Sequence, residues 1–326
     1  MKLHKIDARY FNDYSSAEPD SSIYQTSFWA DYMVLKGYKA SFYEAIDDIG
    51  TCVGLALVLS KKESFLSSKL SAYIPYGYLV NYYDPDFLKQ FHKLLIEELR
   101  NEKIAKLSIE PPIGKNMQFV SRFLTDLGYH LNQEKNLYEV NVEDHVDGLN
   151  DRNLIWKISC TSDDSIFRKL SSGKKDEEKL ELFKCLDGHG LCYAAMLDCE
   201  KSLRAINESI AENEAFISEH RNDYKMVEQL AEKENEIKRL KKLASLIGRY
   251  EEDPYIEALC VSYFSDKCTI LFKMSADPDD NFSAEKQIID QICTDCKKRG
   301  IINVGSEFEF AYSRPVEYLG NFTLKI

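Results

Sequence analysis

The chain has 326 residues, 44% of them hydrophobic, and a formal net charge of −12. That supports a sizeable core and more than one domain, and it excludes a generally basic nucleic-acid binder while leaving room for a local basic patch. The opening MKLHKIDARYFNDY has no apolar signal-peptide stretch, and the longest strongly apolar run, Val53 to Leu59, is far short of the roughly 20 residues that cross a bilayer, so a soluble cytoplasmic protein is expected.

In chain order, apolar periodicity predicts a helix near Ser27 to Leu35, then strands at Ser41 to Ile46, Cys52 to Ser60 and Leu70 to Pro75. A helix follows from Asp84 to Arg100, with Asp84 as cap, Pro85 in the first turn and Phe87, Phe91, Leu94, Leu95 and Ile96 at helical spacing. A strand at Ala105 to Ile109, a helix from about Asn116 to Leu127 ending before Gly128, and a strand at Leu137 to Val142 complete this half. The second half repeats the order. Strands Leu191 to Leu197, Ile256 to Ser262 and Thr269 to Met274 precede a helix from Ser283 to Arg299 that stops at Gly300. Strands at Ile301 to Val304 and Glu317 to Leu324 end it.

Between the first two of those strands lies a segment, Leu203 to Ile247, without Pro or Gly. Cys199, Leu203, Ile206, Ile210, Asn213, Ile217 and His220 form one heptad seam, and Met226, Leu230, Lys233, Ile237, Leu240, Ala244 and Ile247 a second. The polar HRNDYK between them reads as a turn. This predicts an antiparallel helical hairpin, each arm of roughly 22 residues and about 33 Å long. A helix pair packed on the core and a dimerising coiled coil fit the same periodicity. Flanking strands favour an arm inserted into a sheet.

The nine cysteines are scattered, which fits a reducing compartment. Cys293 and Cys296 form a C-x-x-C without a second ligand pair at matching spacing, so no metal and no cofactor is expected. Three strands, a helix and a strand in each half imply an α/β (α+β) protein of two tandem acetyltransferase-like (GNAT) units: 1–145, 146–326, and the arm 199–249 inserted in the second. No Q/R-x-x-G-x-G/A loop for an acetyl-CoA pyrophosphate is present; Gly188 to Gly190 lacks the Arg or Gln.

With these elements in place, the chain resembles the Fem/MurM family. QTSFWADYMVLKGY (Gln25 to Tyr38), IPYGYLVNYYDPDFLKQFHKLLIEEL, LSIEPPI, LGYH, YAAMLDCEKSLRAINESI and VEYLGNF carry the resemblance, in order along nearly the whole chain. It implies an aminoacyltransferase that moves an amino acid from aminoacyl-tRNA to the stem-peptide amine of lipid II or UDP-MurNAc-pentapeptide, in peptidoglycan biosynthesis. It also implies a tRNA-binding role for the arm and work near the inner face of the membrane, as a homodimer or with a paralogue.

Carried over by residue, the resemblance makes Lys36, Arg152 and Lys157 substrate contacts. The family's Phe-Lys pair falls on Phe308 and Glu309, the candidate catalytic positions, and a family Lys falls on Met33. Those departures keep a second reading in view, a catalytically weakened homologue that partners an active paralogue; an acyltransferase with another donor is a third. The aromatic stretch Tyr76 to Tyr83 suits a substrate cleft, with Tyr76 and Tyr78 as contacts. Lys238, Arg239, Lys241 and Lys242 suit an RNA backbone, although the neighbouring Glu232, Glu234 and Glu236 also suit a solvated helix face. Carboxylates that fit a general base are Glu110, Glu285, Glu307 and Glu309.

Overall fold

The computed structural model describes residues 1–18, 21–63, 69–114, 117–143, 152–276 and 282–326. The N-terminal half runs β1 (Lys2–Ile6), α1 (Ala8–Ala17), a 3-10 turn (Ile23–Gln25), α2 (Ser27–Leu35), β2 (Lys39–Ile46), β3 (Cys52–Lys62), β4 (Leu70–Pro75), β5 (Leu79–Val80), α3 (Pro85–Asn101), β6 (Ile104–Glu110), β7 (Pro112–Ile113), α4 (Gln118–Asp126) and β8 (His130–Asn141). The C-terminal half runs β9 (Trp156–Thr161), α5 (Ser165–Leu170), α6 (Lys174–Cys185), β10 (Gly190–Leu197), α7 (Cys199–His220), α8 (Val227–Ile247), β11 (Tyr255–Phe264), β12 (Lys267–Ser275), α9 (Glu285–Arg299), β13 (Asn303–Ser306) and β14 (Arg314–Lys325).

All the strands join one sheet, in the order β1-β2-β3-β4-β6-β14-β8-β13-β12-β11-β10-β9, with β5 on β3 and β7 on β14. Each half contributes its last strand to the other. β14, from the chain's end, lies antiparallel between β6 (Phe322 opposite Ile109) and β8 (Glu317 opposite Leu137). β8 in turn pairs with β13 (Val140 opposite Val304). The predicted α/β architecture of tandem units is present. The expected unit boundary at 145 and the expected start of α4 at Asn116 lie outside the described residues.

Local chemistry explains the elements. The Asp84 carboxylate accepts the Phe87 N–H at 3.0 Å and Pro85 occupies the first turn, so α3 starts where the sequence places it. Its Leu88, Phe91, Leu95, Ile96 and Leu99 are buried against Tyr43, Val58, Ile74, Leu107 and Ile109. Each such side chain contributes about 1.5–3 kcal/mol on burial. A second core forms between α9 (Ile288, Ile289, Ile292) and β11 to β13, and α5 and α6 cover the opposite face with Phe167 and Phe183.

Several elements depart from the expectation. β8 begins at His130 rather than Leu137, because residues 130–136 are exposed and, apart from Leu131, polar, and are held by backbone pairing to β14 instead of by an apolar face. The short α5 and α6 were not anticipated; α6 is mostly charged, and Leu182 and Phe183 supply its buried contacts. β13 begins at Asn303, two residues later than expected.

The long segment is a hairpin. α7 has 22 residues and α8 has 21, and they run antiparallel, Lys241 reaching Glu214 at 3.1 Å and the Lys233 ammonium lying 5.8 Å from the Phe216 ring centre. The base of the arm is anchored, with Ile206, Leu240, Leu243 and Ile247 packed on Leu197 and Ile256. Its tip is bare, Tyr224 being 81% exposed. Met226, expected on the second seam, belongs instead to a 3-10 turn before α8.

His92 on α3 lies inside the first core, its Nδ1 3.0 Å from the Tyr78 hydroxyl, and burial pushes its pKa from 6.5 down to about 4. The unfolded chain takes up that proton at higher pH than the folded chain, so the stability contribution is intact above the ordinary value and is lost as pH falls toward the folded one. In His92→Gln, which accepts from Tyr78 but does not titrate, the drop in the chemical-denaturation midpoint between about pH 7 and pH 5 is expected to be smaller than in the wild type. An equal drop contradicts this account.

Candidate functional site

The parallel strands β4 and β6 pair from Leu70 opposite Ile104, through a one-residue shift after Leu70, to Pro75 opposite Glu110, and beyond that they part. The chain after β4 turns at Tyr76 (φ 55) and Gly77 (φ 79) into β5, which pairs back on β3. The chain after β6 steps over to β14, Ile113 facing Tyr318. A cleft of about 730 Å³ lies in the opening, closed on its far side by β8, β14 and the start of β12. Tyr76, Tyr78 and Tyr82 line one wall, and Glu139, Lys267, Arg314 and Glu317 the other, with Glu18 also lining it.

The turn that shapes the cleft is tightly specified. Gln25 Nε2 donates to the carbonyls of Tyr76 (3.2 Å) and Gly77 (3.1 Å), and the Tyr24 ring stacks on Tyr76 at 4.6 Å. The Tyr82 hydroxyl accepts the Tyr78 N–H at 2.8 Å. A side chain at Gly77 would sit in the left-handed region with its Cβ 2.5 Å from that hydroxyl, so only glycine fits. At Gly114 a Cβ would lie 2.7 Å from Glu317 Oε1, so a glycine also makes room for the cleft carboxylate.

Glu139 is the group of greatest chemical interest. On β8 it stands opposite Arg314 of β14 and opposite Gly305 of β13. Burial pushes its pKa up and the nearby Glu317 pushes it further, while Arg314 and Lys267 offset part of the rise. The Lys267 ammonium donates to the Ser21 carbonyl at 2.9 Å. A half-buried carboxylate held above its ordinary range, with cations beside it, suits proton transfer.

Three of the bases expected from the sequence are committed elsewhere. Glu110 accepts from the Tyr73 hydroxyl (2.6 Å) and from Asn321 (2.5 Å). Glu307 pairs with Lys135 and accepts from the hydroxyls of Tyr24 and Tyr76, whose pKa values burial raises first and its charge raises further. Glu285 takes the Ala311 N–H (2.7 Å) and the Lys273 ammonium (2.6 Å), and Lys273 also reaches the buried Glu257 at 2.6 Å. This last group sits where the second parallel pair, β12 and β13, diverges after Ile270 and Ser306. One divergence in the sheet is therefore open and the other is filled by the protein's own side chains.

Of the residues singled out in the sequence, Tyr76 and Tyr78 line the cleft, although the Tyr78 hydroxyl is buried on His92. Lys36 caps α2 and pairs with Glu181 (3.1 Å) and Glu178 (3.6 Å) of α6. Met33 packs partly buried against the core between α2 and β3. Arg152 lines a separate groove of about 400 Å³ with Trp156, Gln287 and Asp290. Lys157 bridges Asp198 (3.1 Å) and Asp253 (2.8 Å) at the base of the arm. Phe308 is half-buried on the second core and Glu309 is exposed.

On α8, Arg239 pairs with Glu236 at 2.7 Å and Lys241 with Glu214, while Lys238 and Lys242 are exposed. None of Lys36, Arg152, Lys157, Phe308, Glu309 or the α8 cations lines the cleft. Glu139, Lys267, Arg314 and Glu317, which do, were not anticipated. The available signal was an acidic residue, Glu139, within the otherwise apolar run LYEV. Among the described residues, no group of three or more His, Cys, Asp or Glu is placed to hold a metal ion, and no helix is long and apolar enough to cross a membrane.

Because the folded chain holds the Glu139 pKa above its unfolded value, the native state binds the extra proton between the two values, and stability falls as pH rises through the folded pKa. Glu139→Gln is therefore expected to raise the thermal midpoint at neutral pH, with a gain that shrinks as pH falls to about 4. A gain that does not depend on pH contradicts the assignment.

No protein-family model matches the chain, and no curated protein matches it. Solved structures do. FemX superposes with a TM-score of 0.69 at 15% identity, over 100% of this chain and 98% of FemX. A tandem GNAT protein from the clavulanic acid biosynthesis pathway superposes with a TM-score of 0.53 at 7% identity, over 99% of this chain and 98% of that one. In fold the chain is a tandem acetyltransferase-like protein similar to FemX from end to end.

Proposed function

We propose that the protein is an acyltransferase of the Fem type, moving an amino acid from aminoacyl-tRNA to the stem-peptide amine of a peptidoglycan precursor. The observation that carries this reading is the half-buried Glu139 between Arg314 and Lys267 in the open divergence of the sheet. The acceptor has an ammonium at one end and a diphosphate at the other, and the cleft has carboxylates and cations in reach of both. FemX-like architecture over the whole length supports the reading.

In this reading Arg314 and Lys267 hold the diphosphate, and the tyrosine wall flanks the stem peptide. Glu139 takes a proton from the acceptor ammonium, and the freed amine nitrogen attacks the ester carbonyl carbon. A C–N bond forms and the C–O bond to the ribose breaks; protonated Glu139 gives its proton to the departing ribose oxygen and takes one of the two protons still on the nitrogen, which it releases to solvent, while the other stays as the amide N–H. Lys238 and Lys242, exposed on the arm, are the proposed contacts to the tRNA backbone, with Arg239 and Lys241 beside them. The acceptor is lipid II or UDP-MurNAc-pentapeptide. We place the unit division at residue 145, with the arm at 199–249. Lys36, Arg152 and Lys157 are proposed as outer substrate contacts, and Phe308 and Glu309 as the rim facing the donor.

A second reading, a catalytically weakened partner of an active paralogue, draws on Glu309. It places an exposed negative charge where the resemblance implies a cation.

The test is transfer from a complete pool of charged tRNAs to either acceptor, read by product mass. A gain of one or more amino-acid residues that RNase abolishes is expected; no gain while a known Fem enzyme works in the same tube contradicts the proposal. Glu139→Gln is expected to lower kcat by about 100-fold or more. Arg314→Gln removes a charge that holds the Glu139 pKa down, so the acidic limb of its pH–rate profile is expected to move to higher pH and the KM for the acceptor to rise. An unmoved limb excludes Glu139 as the base.

A further inference from the structure

The cleft is not the only cavity that Glu139 and Lys267 line. A smaller trough of about 270 Å³ shares both residues and continues across the neighbouring strands, bounded by Asp266 and Thr269 of the β12 edge and by Ile302, Asn303 and Gly305 at β13. The register explains its position. Glu139, Gly305 and Thr269 stand side by side on β8, β13 and β12, so their side chains share one face of the sheet. Gly305 leaves the middle of that row empty. A Cβ there would meet nothing nearer than the Tyr138 carbonyl at 3.8 Å, so the glycine is not needed for packing and its lack of a side chain makes the floor.

The lining is made to accept hydrogen bonds from a cation. Asn303 Oδ1 is buried and has no hydrogen-bond partner among the described residues. Asp266 and Glu139 add carboxylates, and the ammonium of Lys267 is engaged with the Ser21 carbonyl. A buried acceptor without a partner is destabilising, and an incoming N–H relieves that cost.

We propose that this trough is the donor subsite, taking the ammonium-bearing aminoacyl group of an amino-acid ester, while the larger cleft takes the acceptor amine, so that the two substrates meet at Glu139. The inference rests on the acyl-transfer reading and deepens it. The recognised chemistry is a free α-ammonium beside the ester carbonyl, which a simple acyl thioester such as acetyl-CoA lacks. The volume suits a single small aminoacyl group, and discrimination against N-acylated donors follows from the Asp266 and Glu139 carboxylates and the unpartnered Asn303 Oδ1.

The probes are 3′-(aminoacylamino)adenosines carrying glycine, alanine or serine, which present the donor end through a stable amide, together with their N-acetylated forms. Binding is measured by ligand-observed NMR on the wild type, Gly305→Val, which fills the trough, and Asp266→Asn, which removes an exposed charge without disturbing packing. The expected result is that at least one free-amine probe binds, that acetylation weakens it about tenfold or more, and that each variant does the same while melting like the wild type and still binding UDP-MurNAc-pentapeptide. The inference is overturned if no probe binds, if free and acetylated probes bind alike, or if both variants bind as the wild type does. Amine-dependent binding without transfer would sink the acyl-transfer reading and leave the subsite standing. Transfer with an unchanged donor KM in Gly305→Val would do the reverse.

Discussion

The structure depends on the backbone pairing of β14 between β6 and β8. That strand is the last in the sequence, yet it lies in the middle of the sheet, with Phe322 facing Ile109 on one side and Glu317 facing Leu137 on the other. Without it the polar stretch at 130–136 would have no neighbour and no apolar face to hold it, and β6 would present a bare edge. The exchange also brings Arg314 of the C-terminal half opposite Glu139 of the N-terminal half. The charges of the cleft are therefore assembled from both ends of the chain, and folding of each half is coupled to folding of the other.

A parallel strand pair that diverges leaves backbone groups and space that something must fill. The described residues contain two such pairs and treat them differently. At β12 and β13 the gap is filled by Lys273 between Glu257 and Glu285, and the two carboxylates also cap the Ala284 and Ala311 N–H groups. At β4 and β6 the gap stays open, held by Gln25 on the Tyr76–Gly77 turn and widened by Gly77 and Gly114. The difference assigns the chemistry to one opening. The filled opening stabilises, since ion pairs with hydrogen-bonded carboxylates offset their own desolvation better than isolated charges do.

The architecture was legible because its main elements carry strong local signals. The Asp84–Pro85 start of α3, its apolar face, the Gly300 stop of α9 and the uninterrupted heptads of the arm each state their structure in a few residues. The strand exchange was not legible, because pairing of distant segments leaves no mark in local periodicity, and the first half of β8 has no apolar alternation at all. The site was only partly legible for the same reason. Tyr76 and Tyr78 lie in one sequence-local turn and were found. Arg314, Lys267 and Glu139 become a group only once β14, β12 and β8 are neighbours. Lys36 and Lys157, which motif position alone favoured, are each held by two carboxylates outside the cleft.

The most direct test is where the acceptor sits. Hydrogen exchange read by mass spectrometry, with and without saturating UDP-MurNAc-pentapeptide, maps the contact without assuming turnover. The account predicts protection in the segments 75–83, 111–114, 137–141 and 314–318, which surround the open divergence. Protection confined to 152–158 and 287–294, the groove of Arg152, or to the arm, would contradict the placement of the active site at the strand exchange.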